Sequence, residues 1–150
     1  FPNGCHMAEL EVDPETGITR IVRYVVCDDV GKVVNPMIVA GQVHGGVTQG
    51  IGFALFEKVV GKDGRMSNGQ LTNYIIPTCA DVPAIRVYFE ELPYAYGPSG
   101  AKGIGENGAV AAPSSVQNAV LDALAPLGVK ELDMPASPNR VWAAIQSARH

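Results

Sequence analysis

The stretch GPSGAKGIGENGAV, residues 97–110, sets Lys102 and Glu106 among five glycines. A carboxylate at Glu106, just ahead of an apolar segment, has three readings. It can be an acid favoured at a helix start by the macrodipole, a solvated loop residue, or a general base poised in a cleft. The glycines themselves fit no nucleotide fingerprint. GAKGIGENG has the order G-x-x-G-x-G rather than G-x-G-x-x-G, and its lysine is not followed by Ser or Thr as a P-loop requires. What survives is a general anion nest of backbone N–H groups, with Lys102 available for a phosphate or for a carboxylate within the protein. Gln49 and His44 are the polar exceptions in a second glycine-laden stretch, NPMIVAGQVHGGVTQGIGFALFEKVV at 35–60. A lone histidine there reads as a packed, hydrogen-bonded residue before it reads as a ligand. Asp28 and Asp29 read as turn-orienting Asx groups.

These groups must be held by the elements around them. His6, Ala8, Leu10 and Val12 alternate with polar positions as a half-buried strand does, DPETG supplies a turn, and ITRIVRYVVCDDV is a β-branched partner strand closing at a polar, turn-like end. Asn35 is placed as N-cap and Pro36 as N1 of a helix whose Val39, Val43, Val47, Ile51, Leu55 and Val59 recur every four residues. Gly41, Gly45, Gly46, Gly50 and Gly52 lie inside it, at a combined propensity cost of roughly 4–5 kcal/mol. Either a backbone packs closely against them or a ligand approaches closely; both would offset that cost. GKDGRMSNGQ reads as a turn-rich loop and LTNYIIP as an irregular path. AIRVYFEEL is a strand. GAVAAPSSVQNAVLDAL is a helix with Val110, Val116, Val120, Leu121 and Leu124 at helical spacing and Pro113 near its first turn. SPNRVWAAIQSA is a terminal helix capped by Ser137 and facing inward with Val141, Trp142 and Ile145. Strands first and helices later predict an α+β fold, with a mixed sheet packed against the glycine-rich helix. Phe53 and Trp142 are expected in the core.

Composition excludes several classes. An apolar fraction of 47% with 17% charged residues belongs to a compact domain, and 150 residues suffice for one core. A net charge of −4 spread over both signs leaves no basic stripe for nucleic acid. No apolar run reaches the length of a membrane span. Cys5, Cys27 and Cys79 form no CxxC pair, which argues against a zinc site or disulfide framework and for small buried hydrophobes in a reducing cytoplasm. A start at Phe1 without an initiator Met suggests a processed chain or a piece of a longer one.

FPNGCHMAELEVDPETG, NPMIVAGQVHGGVTQGIGFALFE and GAKGIGENGAVAAPSSVQNAVLDAL together resemble the C-terminal part of the large, molybdopterin-binding subunit of the xanthine oxidase family. That family includes aldehyde oxidoreductases and aerobic carbon monoxide dehydrogenases, and the wording looks closest to the latter. The resemblance covers essentially all of residues 1–150 and implies one C-terminal molybdenum-cofactor-binding domain of a larger subunit. It implies that Glu106 is the general base for water-derived hydroxylation of an aldehyde or N-heterocycle, or for CO oxidation, with a pKa raised by an enclosed site. It also implies that Gln49 contacts the pterin, that Gly50 permits close approach, and that Lys102, Gly103, Ile104 and Gly105 flank the same cofactor. The metal is held by the pterin dithiolene, so no protein metal ligand is expected. The resemblance further implies molybdopterin in its cytosine dinucleotide form, [2Fe-2S] clusters and FAD on other domains or subunits, a small-molecule substrate and an oligomeric assembly. Alone, the chain is expected to be inactive. The alternative is a non-catalytic binding or interaction module that reuses the fold.

Overall fold

The computed structural model describes residues 1–97 and 99–149. Strand β1 (Asn3–Val12) turns back into β2 (Thr19–Asp29), and the two pair antiparallel with a shift in register at Glu9/Leu10. Gly17 closes the turn at φ 73°, and a Cβ there would lie 2.1 Å from Pro138 O, so both conformation and space demand glycine. Helix α1 (Pro36–Leu55) then crosses to β5 (Ile85–Glu90), which pairs parallel with β2. The result is a mixed three-stranded sheet in the order β1-β2-β5. A two-residue hairpin, β3 (Gly61–Lys62) and β4 (Arg65–Met66), interrupts the crossover. Its turn uses Asp63 and Gly64 at φ 50° and 73°, the positive-φ pair that an Asp-Gly hairpin needs, within a stretch that reads by composition only as a turn-rich loop. Helix α2 (Asn107–Leu124), a short 3-10 turn (Ala125–Leu127) and helix α3 (Pro138–Ala148) complete the α+β chain.

One core holds these elements together. Ile21, Tyr24 and Val26 of β2 meet Val43, Val47, Ile51, Ala54 and Leu55 of α1, Ala112, Val116, Val120 and Leu124 of α2, and Val141 and Ile145 of α3. The four-residue repeat in α1 is buried from Val43 to Leu55. Val59 lies beyond the helix and is exposed, because Phe56 is already the C-cap. Asn35 caps α1 through its side-chain oxygen, which accepts from Ile38 N at 3.2 Å. Ser137 occupies the N-cap position of α3 without a side-chain bond.

Helices α1 and α2 run parallel in backbone contact. A Cβ at Gly46 would lie 2.8 Å from Ala109 N, one at Gly50 2.5 Å from Ala112 Cβ, and one at Gly108 2.6 Å from Val43 O. Gly41 and Gly45 have nothing within 4 Å. The glycines of α1 therefore divide: Gly46 and Gly50 admit a neighbouring helix, whereas Gly41 and Gly45 leave open surface.

Several expectations are corrected by alternation and helical phase. Cys5, Cys27 and Cys79 are exposed rather than buried. Cys5 and Cys27 are cross-strand neighbours on the outer face of the sheet, because the inward positions beside them are His6, Val26 and Asp28. Trp142 is 46% exposed and Phe53 41%, since the inward faces of their helices are filled by Val141 and Ile145 and by Ile51, Ala54 and Leu55. Val110 is likewise exposed, and Pro113 sits in the second turn of α2 rather than the first. Of the two aspartates that end β2, both buried, Asp29 makes the expected Asx-type bond, accepting from Gly31 N at 2.9 Å, whereas Asp28 turns instead toward His6.

Backbone contact between the helices makes Gly108→Ala destabilising by about 1–3 kcal/mol. Gly41→Ala, in open space on the same pair of helices, should be neutral or stabilising by up to about 1 kcal/mol. Denaturant unfolding of the full subunit carrying each change measures this, and equal effects would contradict the contact.

Candidate functional site

The carboxyl ends of the parallel strands β2 and β5 lie together, Asp29 opposite Glu90, and the chain enters α1 from that end. Open α/β sheets present their ligand crevices at such an end. The glycine loop is fastened here by Asp29. Its Oδ1 accepts from Gly31 N at 2.9 Å and Leu92 N at 3.3 Å, while its Oδ2 pairs with Lys102 Nζ. The Lys102 and Asp29 side chains are 12% and 4% exposed. Lys102 N also donates to Val30 O at 2.8 Å, and Gly100 O accepts from Lys32 N and Tyr94 N, both at 2.9 Å. Gly31 makes this approach possible at φ 63°, where a Cβ would lie 2.3 Å from Gly100 O. The Lys102 ammonium, joined by the backbone donors of Gly31 and Leu92, holds the Asp29 carboxyl below its ordinary range. Of the two partners the sequence leaves open for Lys102, the structure supplies the internal carboxylate.

Beyond Lys102 the Ile104 side chain packs against the core, while the backbone of the loop is left without partners. Among the described residues, the backbone N–H groups of Gly103, Ile104 and Gly105 have no acceptor. No atom lies within 4 Å of a Cβ built at Gly103, and only Gln42 Nε2, at 4.0 Å, approaches one at Gly105. Gln42 begins a stripe on α1 that continues through Gly45 to Gln49, two turns or about 10 Å along the helix. Gln49 is exposed, and its amide has no described partner. The stripe and the loop together offer free N–H donors and an amide beside glycine surface, a donor set that fits a flat, acceptor-rich ligand. Gln42 was not singled out from the sequence, although its i, i+7 relation to Gln49 carries the signal. Gly50 is buried under Ala112 and Pro113, so the approach it permits is that of α2.

Glu106 stands at the N-cap of α2, its carbonyl accepting from Ala109 N and Val110 N at 3.0 Å. Its side chain is exposed and makes no capping bond, so these residues do not supply the enclosure expected around it. It lines a cleft of about 430 Å³ with Asn3, Gly4, His6, Asp28 and Asn107. His44 faces elsewhere: its Nε2 lies 3.3 Å from Ile85 O, so it is hydrogen-bonded as expected, but it is exposed rather than packed in the core. Among the described residues no group of three His, Cys, Asp or Glu could hold a metal ion, and no helix is long and apolar enough to cross a membrane.

A family model described as "Molybdopterin cofactor-binding domain" matches residues 1–83. The nicotine 6-hydroxylase large subunit of Paenarthrobacter nicotinovorans is 40% identical over 97% of this chain. The carbon monoxide dehydrogenase large chain of Hydrogenophaga pseudoflava is 34% identical over 97%. The first is thus more similar than the carbon monoxide dehydrogenase that the sequence motifs favour. In both cases the chain spans only 18% of the relative's length. The crystal structure of quinoline 2-oxidoreductase from Pseudomonas putida 86 superposes with a TM-score of 0.94 at 42% identity, over 98% of this chain and 19% of that one.

Asp29 with a lowered pKa contributes stability that is present above its unfolded value, near about 3.9, and is lost as pH falls through the lower folded value. Lys102→Met should remove that contribution and raise amide exchange across residues 100–106, with Lys102→Arg restoring part of the protection. Unchanged exchange in Lys102→Met would contradict the anchoring role.

Proposed function

Because this chain belongs to the molybdopterin cofactor-binding domain family, we propose that residues 1–150 form the C-terminal cofactor-binding domain of a larger subunit in a molybdenum-dependent oxidoreductase. The observation that carries this reading is the set of N–H donors at Gly103, Ile104 and Gly105 without an acceptor among the described residues, with Gly105 beside Gln42 of the α1 stripe and directly before Glu106 at the head of α2. When bound, the molybdopterin cofactor, in its cytosine dinucleotide form, supplies the redox centre at which a carbon is oxidised with water as oxygen source. Gln49 would present both an amide donor and an amide acceptor to a pterin edge, and the loop N–H groups would donate to the cofactor's acceptors. Lys102 acts through Asp29 by fixing the loop, and Gly50 acts by letting α2 approach α1.

Glu106 is the general base in this reading. An exposed carboxylate beside the positive end of α2 takes a proton on Oε from the water-derived oxygen as that oxygen attacks carbon, which makes the oxygen a stronger nucleophile. The enclosure that would tune this carboxylate comes from the remainder of the subunit, and the chain alone is inactive. [2Fe-2S] and FAD carriers on other domains or subunits complete the electron path. The similarity to nicotine 6-hydroxylase and quinoline 2-oxidoreductase favours an aromatic N-heterocycle as substrate over an aldehyde or CO.

In the assembled enzyme, Glu106→Gln should keep its molybdenum content and lose at least about 10²-fold in turnover. Near-normal turnover at full occupancy would remove the base assignment. Gln49→Ala should instead lower pterin and molybdenum content, as measured by metal analysis of the purified complex. A native complex without molybdenum would favour the non-catalytic module.

A further inference from the structure

The cleft beside Glu106 has a floor that the proposed reaction does not use. His6 of β1 and Asp28 of β2 line it, their side chains 1% and 2% exposed, with His6 Nε2 at 3.5 Å from Asp28 Oδ1. Asp28 leans into space that only glycine leaves free, since a Cβ at Gly4 would lie 2.0 Å from its Oδ1. Its other oxygen, Oδ2, is buried without a partner among the described residues. On the far side of the imidazole, His6 Nδ1 lies 2.9 Å from the hydroxyl of Tyr24, the rings meeting edge to face. Burial raises the Tyr24 phenol to about 12, with the Asp28 charge pushing it further up and Ser115 opposing. Tyr24 therefore stays protonated near neutrality. Ser115 of α2 donates to Ala111 O at 2.9 Å and reaches His6 O at 3.4 Å, joining β1 to the helix that Glu106 heads.

A bare carboxylate oxygen in this setting is costly, and the arrangement has a way to relieve it. With His6 neutral, Nε2–H faces Asp28 and Nδ1 accepts the Tyr24 O–H. With one more proton, Nε2–H still faces Asp28 while Nδ1–H donates to the Tyr24 oxygen. Only the hydroxyl hydrogen must turn, so the pair can gain a proton without moving a heavy atom. The charged and titratable groups facing His6 are Asp28 and Tyr24 of β2 and, across the cleft, Glu106 of α2.

We propose that the His6–Asp28 pair is the proton acceptor that unloads Glu106 between turnovers. The proposal rests on the reading of Glu106 as the base. The carboxyl proton leaves Glu106 Oε for water in the cleft, its bonding electrons staying on the carboxylate. The pair takes up the proton delivered by that water, passing from a net charge of −1 to 0, and releases it to solvent water entering the cleft before the next turnover, returning to −1; no electron is transferred.

The test uses the complete subunit in its native complex. His6→Gln and Asp28→Asn should keep molybdenum content yet slow turnover by about 10²-fold, and imidazole buffer should restore the rate in proportion to its concentration. In the cofactor-free subunit, an infrared difference spectrum on hydrogen–deuterium exchange should show an imidazole–carboxylate band that both variants lose. Normal turnover, slowing that imidazole does not relieve, or a band unchanged by either variant would overturn the relay while leaving Glu106 as base. Retained turnover in Glu106→Gln would overturn both.

Discussion

The backbone-to-backbone contact of α1 and α2 is the constraint on which the rest depends. Gly46 and Gly50 on one helix and Gly108 and Ala112 on the other leave no room for larger side chains, so the two backbones meet directly. Because the helices are parallel, the contact seats the amino terminus of α2 beside the middle of α1, at Gly46, where it borders the cleft that Asp28 of β2 lines. Glu106 is the residue before α2 begins, and its position follows from where that helix is seated. The helical propensity given up at Gly46 and Gly50 is offset by packing and by the placement of this terminus.

Asp29 performs the complementary task on the loop. One carboxylate bonds to the backbone of Gly31 and Leu92 and to the ammonium of Lys102, fastening both the chain leaving β2 and the chain returning from β5. The three residues beyond Lys102 have backbone donors without an acceptor among the described residues, followed directly by Glu106. A flexible sequence thus becomes a fixed surface, because its anchors are buried and charged while its working positions are exposed. The same end of β2 gives Asp28 to the opposite side, toward His6 and the cleft. Adjacent strand residues point to opposite sides of a pleat, and two neighbouring aspartates therefore serve two different networks.

Much of this could be read from residues. The four-residue apolar repeat and the Asn35-Pro36 start defined α1, alternation defined β1 and β5, and the quoted motifs identified the family that the similarity to known proteins supports. Other positions could not be read, for reasons that are physical. Trp142 and Phe53 are large and apolar, but a helix buries only the stripe that meets its neighbours, and these two fall beside it. The cysteines are small enough for a core, yet strand alternation turns Cys5 and Cys27 outward. Gln42 carried its helical relation to Gln49 in plain view, but nothing local showed that its amide would reach the loop at Gly105.

The sequence by itself determined the elements, the α+β class and the candidate chemistry at Gln49 and Glu106, because periodicity, caps and motifs are local properties of the chain. Tertiary structure decided which of the α1 glycines meet a helix and which stay open. It also decided that Lys102 belongs to Asp29, 73 residues away, and that His6, Tyr24 and Asp28 join below Glu106. Each of these depends on which surfaces face one another after the sheet and helices pack, and spacing along the chain does not encode that.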